Sequence, residues 1–241
     1  MAMLYLIGLG FSEKDITLRG IEIAKTCEKC FVELYTSLWE GKIENLEALI
    51  GKKITLLERS DLEENCEKWL ASIKNYETVL FVTGDPLVAT THSSLLVEAS
   101  KLGIKCKVIH APSIYSAISS CGLQIYRFGK TATIPSSEQM EHVKRVVEEN
   151  RKINAHTLLL TDINMRPKEA IERLFKHGVI NENEKVIVAS RLGMEGEKIV
   201  YASPLENTIN KLSPPCAIVI PAKLHFAEEE FLKHLGEIYE C

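Results

Sequence analysis

The sequence contains no apolar run approaching the roughly 18 to 20 residues that a membrane-spanning helix needs. It has no low-complexity tract and no internal repeat, so nothing in it suggests a repeat array or a linker. It has no excess of positive charge. Lys and Arg number 29 against 33 Asp and Glu, giving a net charge of -4, which offers no general attraction to a phosphate backbone. A protein that coats nucleic acid is therefore excluded, and no nucleic-acid or membrane partner is expected. Metal-ligand patterns are missing too. Cys27-Glu28-Lys29-Cys30 has no second Cys pair, and the seven His do not cluster, so no metal site is expected. The Cys27/Cys30 pair also ends a helical pattern and starts a strand, the reverse of a thioredoxin-like motif. The seven cysteines, at 27, 30, 66, 106, 121, 216 and 241, are odd in number and scattered. A chain of this length needs no disulfides, so a reducing, cytoplasmic compartment is expected. Met1 to Phe11 is apolar but lacks a basic start and a small-residue cleavage site, and acidic Glu13 follows. It reads as a buried first strand rather than a secretory leader.

The 241 residues, 46% hydrophobic and 26% charged, suffice for one large domain or two small ones. Strands are expected at Met3 to Ile7, Cys30 to Leu34, Thr78 to Val82 and Cys106 to Ile109, the first and third of them continuously apolar, and they alternate with amphipathic stretches. Strands buried on both faces occur where helices cover a parallel sheet, so the alternation predicts an α/β layer. Helices are expected after Asp15 as N-cap, over Ile43 to Ile50 with Gly51 as stop, from Asp61 to Ile73, over Thr91 to Leu102, and from Ser113 to Cys121. Composition shifts between Arg127 and Ser137, and a domain junction is placed there, giving domains 1–130 and 131–241. The second half predicts helices over Glu138 to Arg151, Pro167 to Phe175 and Phe226 to Ile238. Its strands are expected at Thr157 to Leu160, Val186 to Ala189 paired with Lys198 to Ala202, and Cys216 to Ile220.

Several loops leave the carboxyl ends of strands, where open parallel sheets bind ligands. Gly8-Leu9-Gly10 is one. A dinucleotide fingerprint would need a third glycine at position 13, which is Glu, so it reads as a tight turn, with or without a ligand. Gly84-Asp85-Pro86-Leu87-Val88 is another. Asp85 could accept hydrogen bonds from a ligand ammonium or hydroxyl, or simply cap a turn. Pro86 holds it in extended backbone. Thr90-Thr91-His92-Ser93-Ser94 reads first as helix capping, although His92 has the chemistry of a general base. Arg145, Arg151, Lys152, Arg166 and Lys168 form either a solvated face or a docking patch.

Taken together and in order, these segments resemble the diphthine synthase family, within the methyltransferases related to the tetrapyrrole methylases. The similarity spans the chain. Its specific stretches are 3–10, Lys14-Asp15-Ile16-Thr17 with Arg19-Gly20, Glu33-Leu34-Tyr35-Thr36-Ser37, and Gly84-Asp85-Pro86 with Ala89-Thr90-Thr91-His92-Ser93. Gly122 to Lys130 and His156 to Ile163 complete the set. The resemblance implies two α/β domains of the tetrapyrrole methylase type, with S-adenosyl-L-methionine bound in the cleft between them and S-adenosyl-L-homocysteine as product. It implies a cytoplasmic homodimer acting on translation elongation factor 2, in diphthamide biosynthesis. The acceptor is a histidine bearing a 3-amino-3-carboxypropyl group, whose amine takes three methyls. A fourth, on the carboxylate, is credited to some members. Matching positions imply cofactor contacts at Leu9, Asp85, Val88, Ser113, Ile114, Thr161, Ala202 and His225. Thr161 and Ala202 depart from the residues the family usually has there. No residue stands out as a dedicated base, and deprotonation by solvent is expected. The alternative is a tetrapyrrole methylase of the same fold, whose anionic substrate would call for Arg and Lys around the site.

Overall fold

The computed structural model describes residues 3–239. The chain divides into two compact units, Met1–Ser116 and Ala117–Cys241. The first unit contains β1 (Met3–Gly8), α1 (Leu18–Thr26), β2 (Lys29–Glu33), α2 (Ile43–Ile50), β3 (Thr55–Leu57), α3 (Arg59–Leu62), α4 (Cys66–Ile73), β4 (Thr78–Val82), α5 (His92–Lys101) and β5 (Lys105–Ile109). Helix α6 (Ile114–Ala117) straddles the division. The five strands form one parallel sheet in the order β3-β2-β4-β1-β5.

Strand side chains alternate between two faces, and each face has its own helices. Leu4, Leu6, Leu80 and Val82 pack with Trp69, Leu70 and Ile73 of α4 and Leu95 and Ala99 of α5. Ile7, Val32, Val79 and Phe81 pack with Ala24 of α1 and Leu46 and Ile50 of α2. The chain thus leaves β1 across one face towards β2, and leaves β4 across the other towards β5. Because β1 and β4 are neighbours, the direction of winding reverses between them. Every residue of β4 is buried, which explains its unbroken apolar pattern. Edge strand β5 presents Lys105 and Lys107 to solvent, which discourages pairing with another sheet.

The expected cap at Asp15 is corrected: Thr17 caps α1, its hydroxyl accepting the Gly20 N–H at 3.0 Å. Asp15 instead closes the preceding turn, accepting the Phe11 and Ser12 N–H groups at 3.0 and 2.9 Å. The expected helix over 61–73 is two helices, with Glu58 rather than Asp61 as cap of the first. The stretch 113–121 is α6 followed by a 3-10 turn.

The second unit contains β6 (Ala132–Ile134), α7 (Glu141–Lys152), β7 (Thr157–Thr161), α8 (Pro167–Lys176), β8 (Val186–Ser190), β9 (Lys198–Ala202), β10 (Cys216–Ile220), α9 (Phe226–Lys233) and α10 (Leu235–Ile238). Its sheet runs β6-β7-β10-β8-β9 and is mixed. Only β6 and β7 are parallel; β7, β10, β8 and β9 pair antiparallel in turn, including the expected β8–β9 pairing. Val143, Val146, Val147 and Asn150 recur at helical spacing along α7 and are buried, and Ala170, Ile171 and Leu174 do the same on α8. The sequence reading places the domain junction after residue 130, whereas the compact unit begins at Ala117. Residues 122–130 pack within it: the Gln124 N–H and the Arg127 guanidinium both bind Glu228 of α9.

Glu228 is fully buried and organises that corner. Its carboxylate takes the Arg127 guanidinium, the His225 N–H at 2.8 Å and the ring of buried His156 at 3.2 Å. The Ala222 N–H donates to His156 Nδ1 at 2.9 Å, so the ring proton lies on Nε2 and points at Glu228. Burial lowers the His156 pKa, and Glu228 offsets this only in part. At Glu228, burial would raise the pKa, but the N–H groups of His225 and Gln124, together with His156, outweigh it and hold the carboxyl below its usual range. Both folded values are depressed. Their stabilisation is present at neutral pH and is lost as pH falls, first below the ordinary His value of 6.5 and then below the ordinary Glu value of 4.5. Unfolding monitored from pH 7.5 to 4 should show a falling midpoint over that range; a flat profile contradicts the assignment. Glu228→Ala strands Arg127 and should cost about 3–5 kcal/mol in denaturant unfolding.

Candidate functional site

The carboxyl ends of β1 and β4 meet where the winding reverses, the usual ligand position in a doubly wound sheet. The Leu9 N–H donates to the Val82 carbonyl at 2.9 Å, and Gly10 and Gly84 exchange two backbone hydrogen bonds at 3.2 and 2.9 Å. This approach needs glycine. A Cβ on Gly8 would lie 2.6 Å from the Gly84 carbonyl oxygen and 2.7 Å from Ala111 Cβ. Gly10 and Gly84 both have left-handed backbone, at φ +65° and +66°.

Asp85 follows at once and is 6% exposed. Its Oδ1 accepts the Leu87 N–H at 3.0 Å, and its Oδ2 meets His110 Nδ1 at 2.8 Å and the Ala111 N–H at 3.3 Å. A carboxylate accepts about four hydrogen bonds, so capacity remains on Oδ1 for a ligand donor. Ser113 lies beside Gly84, whose Cβ position is 3.9 Å from Ser113 Cβ, and the Ser113 backbone closes on the Ser116 hydroxyl. Val88 donates its N–H to the Asp85 carbonyl at 3.2 Å. Leu9, Asp85, Val88 and Ser113 thus fall on three loops at one end of one sheet, and Ile114 opens α6 directly after the third. His110 was not among the residues expected from sequence. Its signal is a lone polar residue directly after an apolar strand, which many solvent-facing residues share.

Next to this turn lies a second polar group. Glu33 ends β2 and is fully buried. Its carboxylate accepts the Tyr35 and Thr36 N–H groups at 3.1 and 3.2 Å and the Thr36 hydroxyl at 2.7 Å. Burial raises its pKa despite these donors and the Thr83 N–H. His92 is 2% exposed, with its Nε2 4.0 Å from Glu33 Oε1. Burial lowers its pKa to about 4, with the Pro86 carbonyl acting weakly the other way. Neither His92 ring nitrogen nor the buried Thr83 hydroxyl has a hydrogen-bond partner. The capping expected of the 90–94 stretch comes from Thr90 rather than from the N-cap residue: the Thr90 hydroxyl accepts the His92 N–H at 3.4 Å and donates to the Pro86 carbonyl at 2.7 Å, while Thr91 occupies the N-cap without a side-chain hydrogen bond.

In the second unit, the three expected contacts do not share one end of the sheet. The Thr161 hydroxyl binds the Cys216 carbonyl at 2.9 Å, and Cys216 pairs with Ser190, which pairs with Lys198. Ala202 pairs with Val186 at the opposite end of that hairpin. His225 caps α9, its Nδ1 accepting the Ala227 N–H at 3.4 Å. The antiparallel order produces this separation, because alternate strands end at opposite edges.

Other candidates are engaged structurally. Burial pushes the Cys27 thiol up to about 12 and raises that of Cys30, which leaves both protonated and unreactive. Arg151 pairs with Glu184 at 2.5 Å and Lys168 with Glu172 at 3.8 Å, so the expected basic patch is partly neutralised. Among the described residues, no group of three or more His, Cys, Asp or Glu is placed to hold a metal, and no helix is long and apolar enough to cross a membrane.

A family model for the Tetrapyrrole (Corrin/Porphyrin) Methylases matches residues 3–208. The diphthine synthase of Methanocaldococcus jannaschii is 40% identical, covering 98% of this chain and 99% of that protein. That of Archaeoglobus fulgidus is 39% identical, covering 98% and 96%. A crystal structure of diphthine synthase superposes with a TM-score of 0.90 and 37% identity over 97% of this chain and 96% of that one. The chain is a member of the tetrapyrrole methylase family and, within it, of the diphthine synthases.

Proposed function

We propose that the chain methylates the amine of a 3-amino-3-carboxypropyl-histidine on translation elongation factor 2, three times, with S-adenosyl-L-methionine as donor. The full-length similarity to diphthine synthases carries this reading. It makes the chain a methyltransferase of diphthamide biosynthesis. The loops after β1, β4 and β5 support it against a tetrapyrrole substrate. Residues 8–12, 83–91 and 110–113 contain no Lys or Arg to neutralise porphyrinogen carboxylates. A homodimer in the cytoplasm belongs to the same proposal.

The donor, when bound, supplies an electrophilic methyl on a sulfonium whose departure leaves a neutral thioether. The protein's task is then alignment, and holding two reactants in line is worth several powers of ten. The Gly8, Gly10 and Gly84 backbone admits close approach of a ligand, and Asp85 has capacity to accept from an ammonium or a ribose hydroxyl. We assign Leu9, Asp85, Val88, Ser113 and Ile114 as donor contacts, with Thr161, Ala202 and His225 as those from the second unit. Solvent removes the amine proton.

Incubation with S-adenosyl-L-methionine and the factor carrying the unmethylated group, followed by peptide mass measurement, should show a gain of three methyls. Four would add the carboxylate ester. No gain, with the donor still bound, contradicts the assigned acceptor. Calorimetric titration should show donor affinity about tenfold or more weaker in Asp85→Ala, the loss expected for a charge-assisted hydrogen bond. Unchanged affinity with lost turnover contradicts the role given to Asp85.

A further inference from the structure

The two glutamates that are fully buried among the described residues differ in what balances them. Glu228 has Arg127 against it. Glu33 has no Lys or Arg ion pair among the described residues; its ion-pair neighbour is His92, which burial keeps neutral near pH 7. A buried carboxylate without a counter-charge is costly, and natural structures pair or ligate such groups. Glu33 has its hydrogen-bond acceptor sites filled by the Tyr35, Thr36 and Thr83 N–H groups and the Thr36 hydroxyl, so what it lacks is charge balance; beside it the His92 ring and the Thr83 hydroxyl have no hydrogen-bond partner. Carboxylate, carbonyl, imidazole nitrogen and hydroxyl all accept hydrogen bonds. What the cluster lacks is a positive charge to balance Glu33.

Position supports the same chemistry. Glu33 ends β2 and Thr83 follows β4, so the cluster lies at the ligand-binding edge of the sheet, one residue from Gly84-Asp85. The chain segments that flank it in sequence are less buried: Tyr35 to Trp39 after Glu33, and Val88 and Thr90 before His92, are partly exposed. Ala89, in the loop between Asp85 and His92, has left-handed backbone at φ +55°, a conformation that costs alanine roughly 1 kcal/mol and concentrates at functional loops.

We propose that Glu33, with His92 and Thr83, forms the subsite for the acceptor nitrogen, the Glu33 carboxylate being the counter-charge for the ammonium formed in methyl transfer. This deepens the functional reading above and rests on it. In the step, the nitrogen lone pair forms the new C–N bond while the S–C bond breaks and its electron pair stays on sulfur. Positive charge moves from sulfur to nitrogen. A fixed carboxylate beside that nitrogen stabilises the transition state more than the neutral amine. After each of the first two transfers a proton leaves to solvent; after the third none remains, and the cation persists beside Glu33. The neutral state of His92 matters because an imidazolium there would repel the product.

The test is Glu33→Gln in the full chain. Removing an uncompensated buried charge while keeping the shape should leave the melting temperature unchanged or raise it. Donor affinity by calorimetry should be unchanged. KM for the modified elongation factor should rise about tenfold or more, with kcat reduced. Glu33→Asp, which keeps the charge, should recover part of the loss. Wild-type KM and kcat in Glu33→Gln overturn the proposal, as does a lowered melting temperature with KM unchanged, which marks a structural role. A second measurement does not depend on the acceptor's identity. Tetramethylammonium chloride, a mimic of the product cation, should shift the His92 ring signals in nuclear magnetic resonance, with His92→Gln providing the assignment. The shift should vanish in Glu33→Gln. If wild type fails to methylate the factor but this shift is seen, the assigned acceptor fails and the subsite stands; absence of the shift overturns the subsite.

Discussion

The close approach of two neighbouring strand ends governs the first unit. Gly10 and Gly84 pair backbone to backbone, and Gly8 lies against the Gly84 carbonyl with no room for a methyl group. That contact brings the loops after β1, β4 and β5 to one place and aims Asp85 along the reversal of winding. Packing on both faces depends on it as well. Ile7 and Leu9 reach the α1 and α2 side, while Leu6 and Val82 reach the α4 and α5 side, only if the two strands keep this register. A single missing side chain thus links the sheet's core to its ligand edge.

The two buried glutamates show the same chemistry used in opposite ways. Glu228 is held by a guanidinium, backbone N–H groups and a neutral His, and it ties residues 124–127 to the start of α9. Every partner is internal, which is the arrangement of a structural group. Glu33 is held by N–H groups and a hydroxyl but has no cation, and it neighbours polar atoms without partners. An incomplete polar network at a ligand edge departs from what stability alone would select, and such departures mark function.

The fold was legible where one physical signal dominated. Thr78 to Val82, Cys216 to Ile220 and Lys198 to Ala202 have the bounds expected from their apolar pattern, and Gly51 stops α2 in left-handed backbone as anticipated. Errors arose where two local signals competed. Asp15 and Thr17 both suit a cap, and only the turn through Ser12 decides between them. The helical pattern over 61–73 concealed a break before Asn65, which periodicity does not encode. At the site, the glycine turns and Asp85 could be singled out from chain order, because strand-end loops announce themselves. Glu33 could not. It stands in an apolar run like any exposed edge residue, and its burial is a property of the assembled sheet. The separation of Thr161 from Ala202 was equally hidden, since strand direction in a mixed sheet leaves no mark on composition.

The central claim is that the reversal of winding between β1 and β4 is where the methyl donor binds. A crystal structure of the chain with S-adenosyl-L-homocysteine tests it most directly. The account predicts ligand density against the Gly84-Asp85 turn, with a ligand donor within hydrogen-bond distance of the Asp85 carboxylate. Density at the amino ends of these strands, or a ligand with no contact to Asp85, contradicts it.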